Sequence, residues 1–496
     1  MIVCQIGSAR ALPMLPQEKM TGTNANHLRP LGSTGLQCHP LGFGCYRVME
    51  GNAQHEAALR AYLDRGGNLI DTSANYGDGH AEILVGRVLR DFPRDRVIVV
   101  TKGGYIQGQN LTLARRRNFP EVVRYGDGIW HSIHPEFLET QVEMSRERLG
   151  LERADVYLLH NPEYFLEDQA HHKAVGEAEQ EEFYRRVREA FRFLEGKVAE
   201  GRIRWYGISS NNFPAPVAAQ TRASVERCWE AAEAVSPDHH FRVVQLPLNL
   251  YEGGGALERN NSGKTVLEFA KEKGLGVLLN RPLNAFFRNR MIRLADYQRP
   301  GQPPPGKERL QKILEPARRM EQELEEQHGI PLLYGERKGI AHYLETIVPR
   351  VQSPAQWEQA FYEYVILPIE RWATECQQLY GGTPEWDGWW NRFADILPPV
   401  LEEVGRYVGS SQQAVSDQVR AQLERAGYPA TGEPLSRMAQ NVLLNLEGVS
   451  CVLVGMRRRE YVEDSMGAVR LEAVDSLSIL SRFRQMLASE AKEAMP

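Results

Sequence analysis

Asn68-Leu-Ile-Asp71-Thr-Ser-Ala-Asn-Tyr76-Gly-Asp-Gly79 decides the reading of this chain, because two later segments have the same build. An apolar run ends in an aspartate, and a tyrosine follows five residues later in a glycine-rich loop. Val97-Ile-Val-Val-Thr-Lys102 ends a second apolar run on a lysine, and Asp155-Val-Tyr-Leu-Leu-His160 ends a third on a histidine. Three short β-type runs thus carry Asp, Lys and His at their C-terminal ends. In a barrel of parallel strands those ends converge on one face, where active sites sit. An Asp beside a Lys keeps the ammonium paired, and the Lys in turn lowers the pKa of a nearby phenol. That makes Tyr76 a candidate proton donor near neutral pH.

The rest of the chain repeats the rhythm. Leu28 to Phe43 reads as two short strands around a Gly-Ser-Thr-Gly turn. Strand candidates follow at 41–45, 68–71, 97–101, 155–159, 204–208, 243–246, 275–279 and 451–455. Helical periodicity falls at 53–65, 79–90, 135–149, 181–200, 262–273 and 436–447. Eight strands with intervening helices predict an α/β protein, a closed (β/α)8 TIM barrel with an N-terminal β-hairpin. Residues 1–27 lack periodicity and read as an N-terminal extension. The barrel is assigned to 28–284 and 436–475, with a C-terminal tail at 476–496.

One gap breaks the pattern. From 285 to 435 no strand candidate fits, far more than an ordinary connection. Arg299 to Gly306 reads as a stiff proline-rich linker, and a charged helix follows at 307–326. Residues 356–408 read as mostly helical and hold five of the eight tryptophans. The segment is predicted to be a helical insertion between strands seven and eight. Trp357, Phe361, Tyr364, Ile369, Trp372 and Cys376 recur at near-helical spacing, as a packed face does, with Pro368 ending or kinking the first helix. The Trp386-Asp-Gly-Trp-Trp390 stretch reads as a loop bordering a substrate pocket, and Arg288, Arg290 and Arg293 as part of a cofactor clasp.

Composition excludes several classes. The 496 residues carry a net charge of −5 and are 42% apolar, so nothing global points to nucleic acid or an anionic membrane. No apolar run approaches the roughly 20 residues that span a bilayer. Six scattered cysteines without a CxxC pair read as reduced thiols, which places the chain in the cytoplasm. His171-His172 and His239-His240 look like metal pairs, but adjacent residues point different ways and no Asp, Glu or Cys cluster accompanies them. They read as solvent-exposed loop histidines, and no metal site is expected. Arg115-Arg116-Arg117 reads as a solvated loop. Tyr105, Trp130, His131 and His134, in the long loop after strand three, are placed to shape a pocket.

The fragments LGSTGLQCHPLGFG, DTSANYGDGHAE, VTKGG, DVYLLHNPE, IRWYGISSNNF, VVQLPLNLYE and VLVGMRRREYVEDSM together resemble the aldo-keto reductase family, over roughly 28–285 and 436–470 and in family order. That family binds NADPH on a (β/α)8 barrel without a Rossmann fold, and no Gly-x-Gly-x-x-Gly follows an early strand here. The resemblance implies a catalytic tetrad of Asp71, Tyr76, Lys102 and His160. Tyr76 protonates a carbonyl oxygen while nicotinamide delivers hydride to the carbon. Lys102, held by Asp71, lowers the tyrosine pKa and stabilises the alkoxide. His160 orients the carbonyl or assists the proton transfer.

For the cofactor, the resemblance maps a carboxamide-binding role onto Ser209, Ser210 and Gln245. The family pattern is Ser-Asn where this chain has Ser-Ser-Asn-Asn, which leaves Ser210 and Asn211 as alternatives. Tyr46 falls near the nicotinamide. The usual aromatic after strand seven is replaced by Asn280 and Arg281. Gly455, Met456 and Arg457 open a helix that continues through Arg458, Arg459, Tyr461 and Asp464. Its backbone N–H groups and arginines suit an adenosine phosphate, and three consecutive arginines favour the 2′-phosphate of NADP over NAD. Asp464 falls where relatives touch the adenine.

The implied activity is NADPH-dependent reduction of an aldehyde or ketone. The alternatives are a sugar or polyol dehydrogenase using the same tetrad in reverse, and a cofactor-binding regulatory or scaffold protein. Expected partners are a small carbonyl or alcohol substrate and a second copy of the chain through the insertion.

Overall fold

The structure, a computed structural model, describes residues 28–288, 290–297, 306–330, 333–334, 337–351, 357, 361–410 and 412–493. Residues 1–27 and most of the proline-rich linker lie outside the described residues. The described residues divide into two compact units, one formed by those of 28–294 with 422–493 and the other by those of 295–421.

The larger unit is a closed barrel of eight parallel strands. Its strands are β1 (Leu41–Gly44), β2 (Leu69–Asp71), β3 (Ile98–Gly103), β4 (Ala154–His160), β5 (Ile203–Ser209), β6 (Phe241–Pro247), β7 (Gly276–Asn280) and β8 (Cys451–Val454). The helices between and after them are α1 (Ala53–Asp64), α2 (His80–Leu89), α3 (Pro135–Leu149), α4 (Glu177–Ala199), α5 (Val225–Glu233), α6 (Val266–Glu272), α7 (Leu435–Leu444) and α8 (Arg459–Ala468). β2, β3 and β4 are buried on both faces, which is why their runs are mostly apolar and do not alternate.

Local chemistry starts the helices. Asn52 caps α1 by accepting from the backbone N–H of Gln54 and His55. Thr265 and Glu268 form a reciprocal capping box on α6. The barrel interior is filled by Leu69, Val100, Val156, Leu158, Val243 and Leu453, together with Leu31 and Cys38 from the hairpin of Arg29–Pro30 with Gln37–Cys38. That hairpin closes the N-terminal mouth, so the C-terminal mouth is the one left for chemistry.

Several elements differ from the sequence expectation. Ser476–Glu493, read as a tail, is a helix whose Ile479, Leu480, Phe483 and Leu487 are buried; their spacing forms one helical face. Arg115, Arg116 and Arg117 end a helix, Gln109–Arg117, where their charge suits the carbonyl end. His239 is buried, with its ring 4.5 Å from that of Trp229, and so is not the solvent-exposed residue expected, whereas His240 is partly exposed and faces Glu195 at 2.8 Å. His171 and His172 are exposed but end a helix, Tyr164–His172. After β7 the chain forms a hairpin, Asn284–Phe287 with Arg290–Arg293.

The smaller unit is helical. Lys307–His328, Gly339–Ile347, Leu367–Tyr380 and Pro384–Ser410 surround a core that includes Leu314, Leu324, Trp372, Phe393 and Val404. Trp386 and Trp389 lie on the Pro384–Ser410 helix and are fully buried in this core. Trp389 donates to the carbonyl of Met320 at 2.6 Å, and Trp386 to Gln377 at 2.7 Å. The expected substrate-bordering loop is therefore part of a helix, and its Trp386 and Trp389 indoles pack into their own unit with both N–H groups satisfied.

Candidate active site

Four elements bring the sequence-predicted tetrad together. Asp71 ends β2, Lys102 lies on β3, His160 ends β4, and Tyr76 sits in the loop that leaves β2. Lys102 is wholly buried and donates to Asp71 Oδ2 at 2.8 Å, to the carbonyl of Thr72 at 2.9 Å and to the Tyr76 hydroxyl at 3.3 Å. The Tyr76 and His160 rings meet edge-on at 5.9 Å. His160 Nδ1 lies 2.9 Å from Ser73 Oγ, and His131 Nε2 lies 2.7 Å from the His160 carbonyl.

Electrostatics refine the expectation. Burial works against the Lys102 ammonium, but Asp71 and Tyr76 together outweigh it and hold its pKa above the ordinary value. Burial also pushes Asp71 up, opposed by Lys102 and Gln245; for the pair, the Lys102 direction holds because two acidic groups face one ammonium. The Tyr76 phenol is raised and not lowered as the sequence suggested. Burial outweighs the pull of Lys102, which is the second influence. His160 is depressed well below the usual histidine range by burial, then by Lys102 and His131, so its ring is neutral.

A second layer extends across the mouth. Gln245 donates to Asp71 Oδ1 at 2.7 Å and accepts from Ser209 at 2.9 Å and from Asn280 at 3.4 Å. Asp71, Gln245, Ser209 and Asn280 are thus one network. Ser210 is buried and accepts from the N–H of Asn212 at 3.1 Å, while the Asn211 side chain is exposed. Tyr46 is 62% exposed, its ring 5.5 Å from that of Tyr76 at the open side of the site.

Other predicted residues stand apart from this network. Arg281, at φ +53, pairs with Glu252 at 2.9 Å. Gly455 is exposed at the end of β8, and Met456 is buried. Arg457 and Arg458 lower the His55 pKa, after burial, which places them beside α1. Tyr461 is half-exposed, 6.0 Å from the Arg458 guanidinium. Asp464 accepts from Ser436 at 2.6 Å and Arg437 at 3.0 Å, so its carboxylate ties α7 to α8. Arg288 lies over Phe287 at 5.0 Å and Arg293 donates to Asn284, both within the hairpin after β7.

Sequence reasoning missed Ser73, Asn161 and Glu163. Asn161, left-handed at φ +51, donates to the Tyr105 hydroxyl at 2.7 Å and aligns that ring against His160. Glu163 is 1% exposed, and Oε1 accepts from the N–H of Asn211 at 2.7 Å. Burial lifts its pKa to about 8. Each of these contacts crosses tens of residues and has no local periodic signal. Among the described residues no cluster of three metal-ligating side chains occurs, and no helix is long and apolar enough to cross a membrane.

The fold and the site define a (β/α)8 barrel with its polar machinery on the C-terminal strand ends. Residues 40–333 match the model of the aldo/keto reductase family, and the chain belongs to that family of oxidoreductases. It is similar to an aldo-keto reductase, YhdN, of Bacillus subtilis, 26% identical over 256 residues, covering 50% of this chain and 60% of that protein. It is also similar to an NADH-specific methylglyoxal reductase of Escherichia coli, 29% identical over 140 residues, covering 26% and 40%. A D-threo-aldose 1-dehydrogenase of a Pseudomonas species is 30% identical over 192 residues, covering 36% and 52%. The chain thus spans less than two thirds of each of these relatives.

Proposed function

We propose that the chain is an NADPH-dependent carbonyl reductase in which Tyr76 is the proton donor. The observation that carries this reading is the buried Lys102, 2.8 Å from Asp71 and 3.3 Å from the Tyr76 hydroxyl, with a neutral His160 alongside.

The residues present fit a nicotinamide. Asn280 Oδ1 is buried without a hydrogen-bond partner beside Gln245, an acceptor suited to a carboxamide N–H. Arg459 opens α8, with Arg458 at its N-cap and Arg457 just before, where a helix N-terminus and guanidinium groups suit a phosphate. When bound, the reduced cofactor supplies a hydride. Tyr76 gives its phenolic proton to the carbonyl oxygen, and the resulting phenolate takes a proton back from solvent. Lys102 stabilises the negative charge on both oxygens at no reorganisation cost, because Asp71 and the Thr72 carbonyl already hold it. His160, with Nδ1 engaged by Ser73, has Nε2 to orient the substrate oxygen.

The raised phenol favours reduction. A neutral tyrosine is the reactant form for donating a proton, whereas oxidation of an alcohol needs the phenolate. Sugar hydroxyl oxidation is the second reading, supported by the resemblance to an aldose dehydrogenase. The test is a cofactor-oxidation screen of the purified chain with NADPH and NADH against aldehydes, ketones, quinones and sugars. Turnover with a carbonyl and NADPH is the expected result; cofactor reduction by sugars alone would favour the second reading, and inertness toward every class would leave the scaffold role.

A further inference from the structure

Tyr76 occupies an unusual stretch of backbone. Gly77, Asp78 and Gly79 follow it at φ +56, +54 and +94, three successive left-handed residues of which the middle one is not glycine. The glycines adopt this backbone freely, but Asp78 is strained in it, and that conformation persists only when its surroundings enforce it. One side is held by β3, since Ala74 N–H donates to the Lys102 carbonyl at 3.1 Å.

The other side is held by a buried polar chain. Thr101, next to Lys102 on β3, donates to Glu82 Oε1 at 2.6 Å. Arg148, at the end of α3, donates from Nη1 to Glu82 Oε2 at 3.2 Å and to the carbonyl of Ala74 at 3.3 Å. Glu82 is fully buried and the Arg148 side chain is 11% exposed. The guanidinium also fills the space against Gly79, where a β-carbon would lie 2.5 Å from Arg148 Cζ. A hydroxyl, a carboxylate and a guanidinium therefore connect the strand that carries Lys102 to the loop that carries Tyr76.

We propose that Arg148 and Glu82 are positioning residues for Tyr76, setting the phenol against Lys102; this rests on the carbonyl-reductase reading above. They act through the backbone of Ala74 and the left-handed turn. Their loss lets the loop relax and lengthens the phenol-to-ammonium separation, while the network of Gln245, Ser209 and Asn280 is left in place.

The experiment is a double-mutant cycle in single turnover on the full chain, so that the residual rate of Tyr76→Phe is readable. Arg148→Met and Glu82→Gln are each made alone and combined with Tyr76→Phe. Alone, each lowers the chemical step about tenfold or more while KM for NADPH stays within about twofold. Added to Tyr76→Phe, each costs nothing further, because the hydroxyl it positions is gone. Arg148→Lys, which keeps the charge but lacks the planar guanidinium that packs against Gly79, falls between, and it replaces Arg148→Met in the cycle if thermal melting shows that variant unfolded. Equal losses in both backgrounds, or an unchanged rate in the single variants, overturn the positioning role. Parent turnover in Tyr76→Phe alone overturns the proposed function instead.

Discussion

Gln245 on β6 donates from Nε2 to Asp71 Oδ1 on β2 at 2.7 Å, across the mouth of the barrel. The carboxylate that pairs with Lys102 is thereby fixed from two strands that are not neighbours in the sheet. One oxygen serves the ammonium and the other the amide, so neither lone-pair set is left to rotate toward substrate. Such a fully engaged buried pair orients the lysine, but breaking it is costly.

Asp71→Asn removes the countercharge from an ammonium with no exposure. We expect a loss of about 3–5 kcal/mol of stability, the usual cost of stranding one member of a buried pair. Gln245→Leu leaves the pair intact but strips a partner from the Asp71 Oδ1 acceptor and from the Ser209 and Asn280 donors, a loss of about 1–3 kcal/mol for each group left unsatisfied. Urea unfolding of both variants measures the order; equal stability of Asp71→Asn and the parent chain would show that the pair is not buried as described.

Tyr76→Phe retains the ring that meets Tyr46 and His160 and removes only the hydroxyl. Turnover should fall about a hundredfold or more, the scale of a lost general acid. NADPH affinity, read by fluorescence titration, should stay near that of the parent. Unchanged turnover on an active substrate ends the assignment.

Replacing Arg457, Arg458 and Arg459 together with alanine tests the cofactor choice. Loss of a charge-assisted contact to the 2′-phosphate costs about 1.5–3 kcal/mol, a tenfold to over hundredfold weakening of NADPH binding. NADH binding should barely change. If both cofactors weaken equally, these arginines do not read that phosphate.

Glu163 carries a pH prediction. Its carboxyl is pushed up to about 8 by burial, from an ordinary value of 4.5. Between those values the folded protein holds the proton and the unfolded chain has released it. The folded state therefore binds more protons, and stability falls as pH rises through the window, by about 1.4 kcal/mol per pH unit from this group. Glu163→Gln keeps an acceptor for the Asn211 N–H but cannot ionise. Its melting temperature relative to the parent should rise from pH 6 to pH 8.5, and a constant difference would show that the carboxyl is ordinary.

The eight strands, most of their helices and the meeting of Asp71, Tyr76, Lys102 and His160 were legible in the sequence, because they rest on short-range signals. Apolar runs of four to seven residues mark buried parallel strands, and the polar residue that closes each run falls at the barrel mouth by construction. Asp71, Lys102 and His160 are visible for that reason alone. What the sequence could not supply are relations between residues distant in the chain. Ser73 meets His160, Glu163 holds Asn211, and Gln245 reaches Asp71 only because barrel closure brings those strand ends together. The sign of the Tyr76 shift is of the same kind: the neighbouring lysine is written in the sequence, but the depth of burial that outweighs it is not. The Trp386–Trp390 stretch errs in the other direction. Its indoles suggested a binding loop, and only packing against Met320, Trp372 and Phe393 turned them into a core. Local patterning determines which segments become strands and helices, while desolvation and long-range hydrogen bonds are properties of the closed fold.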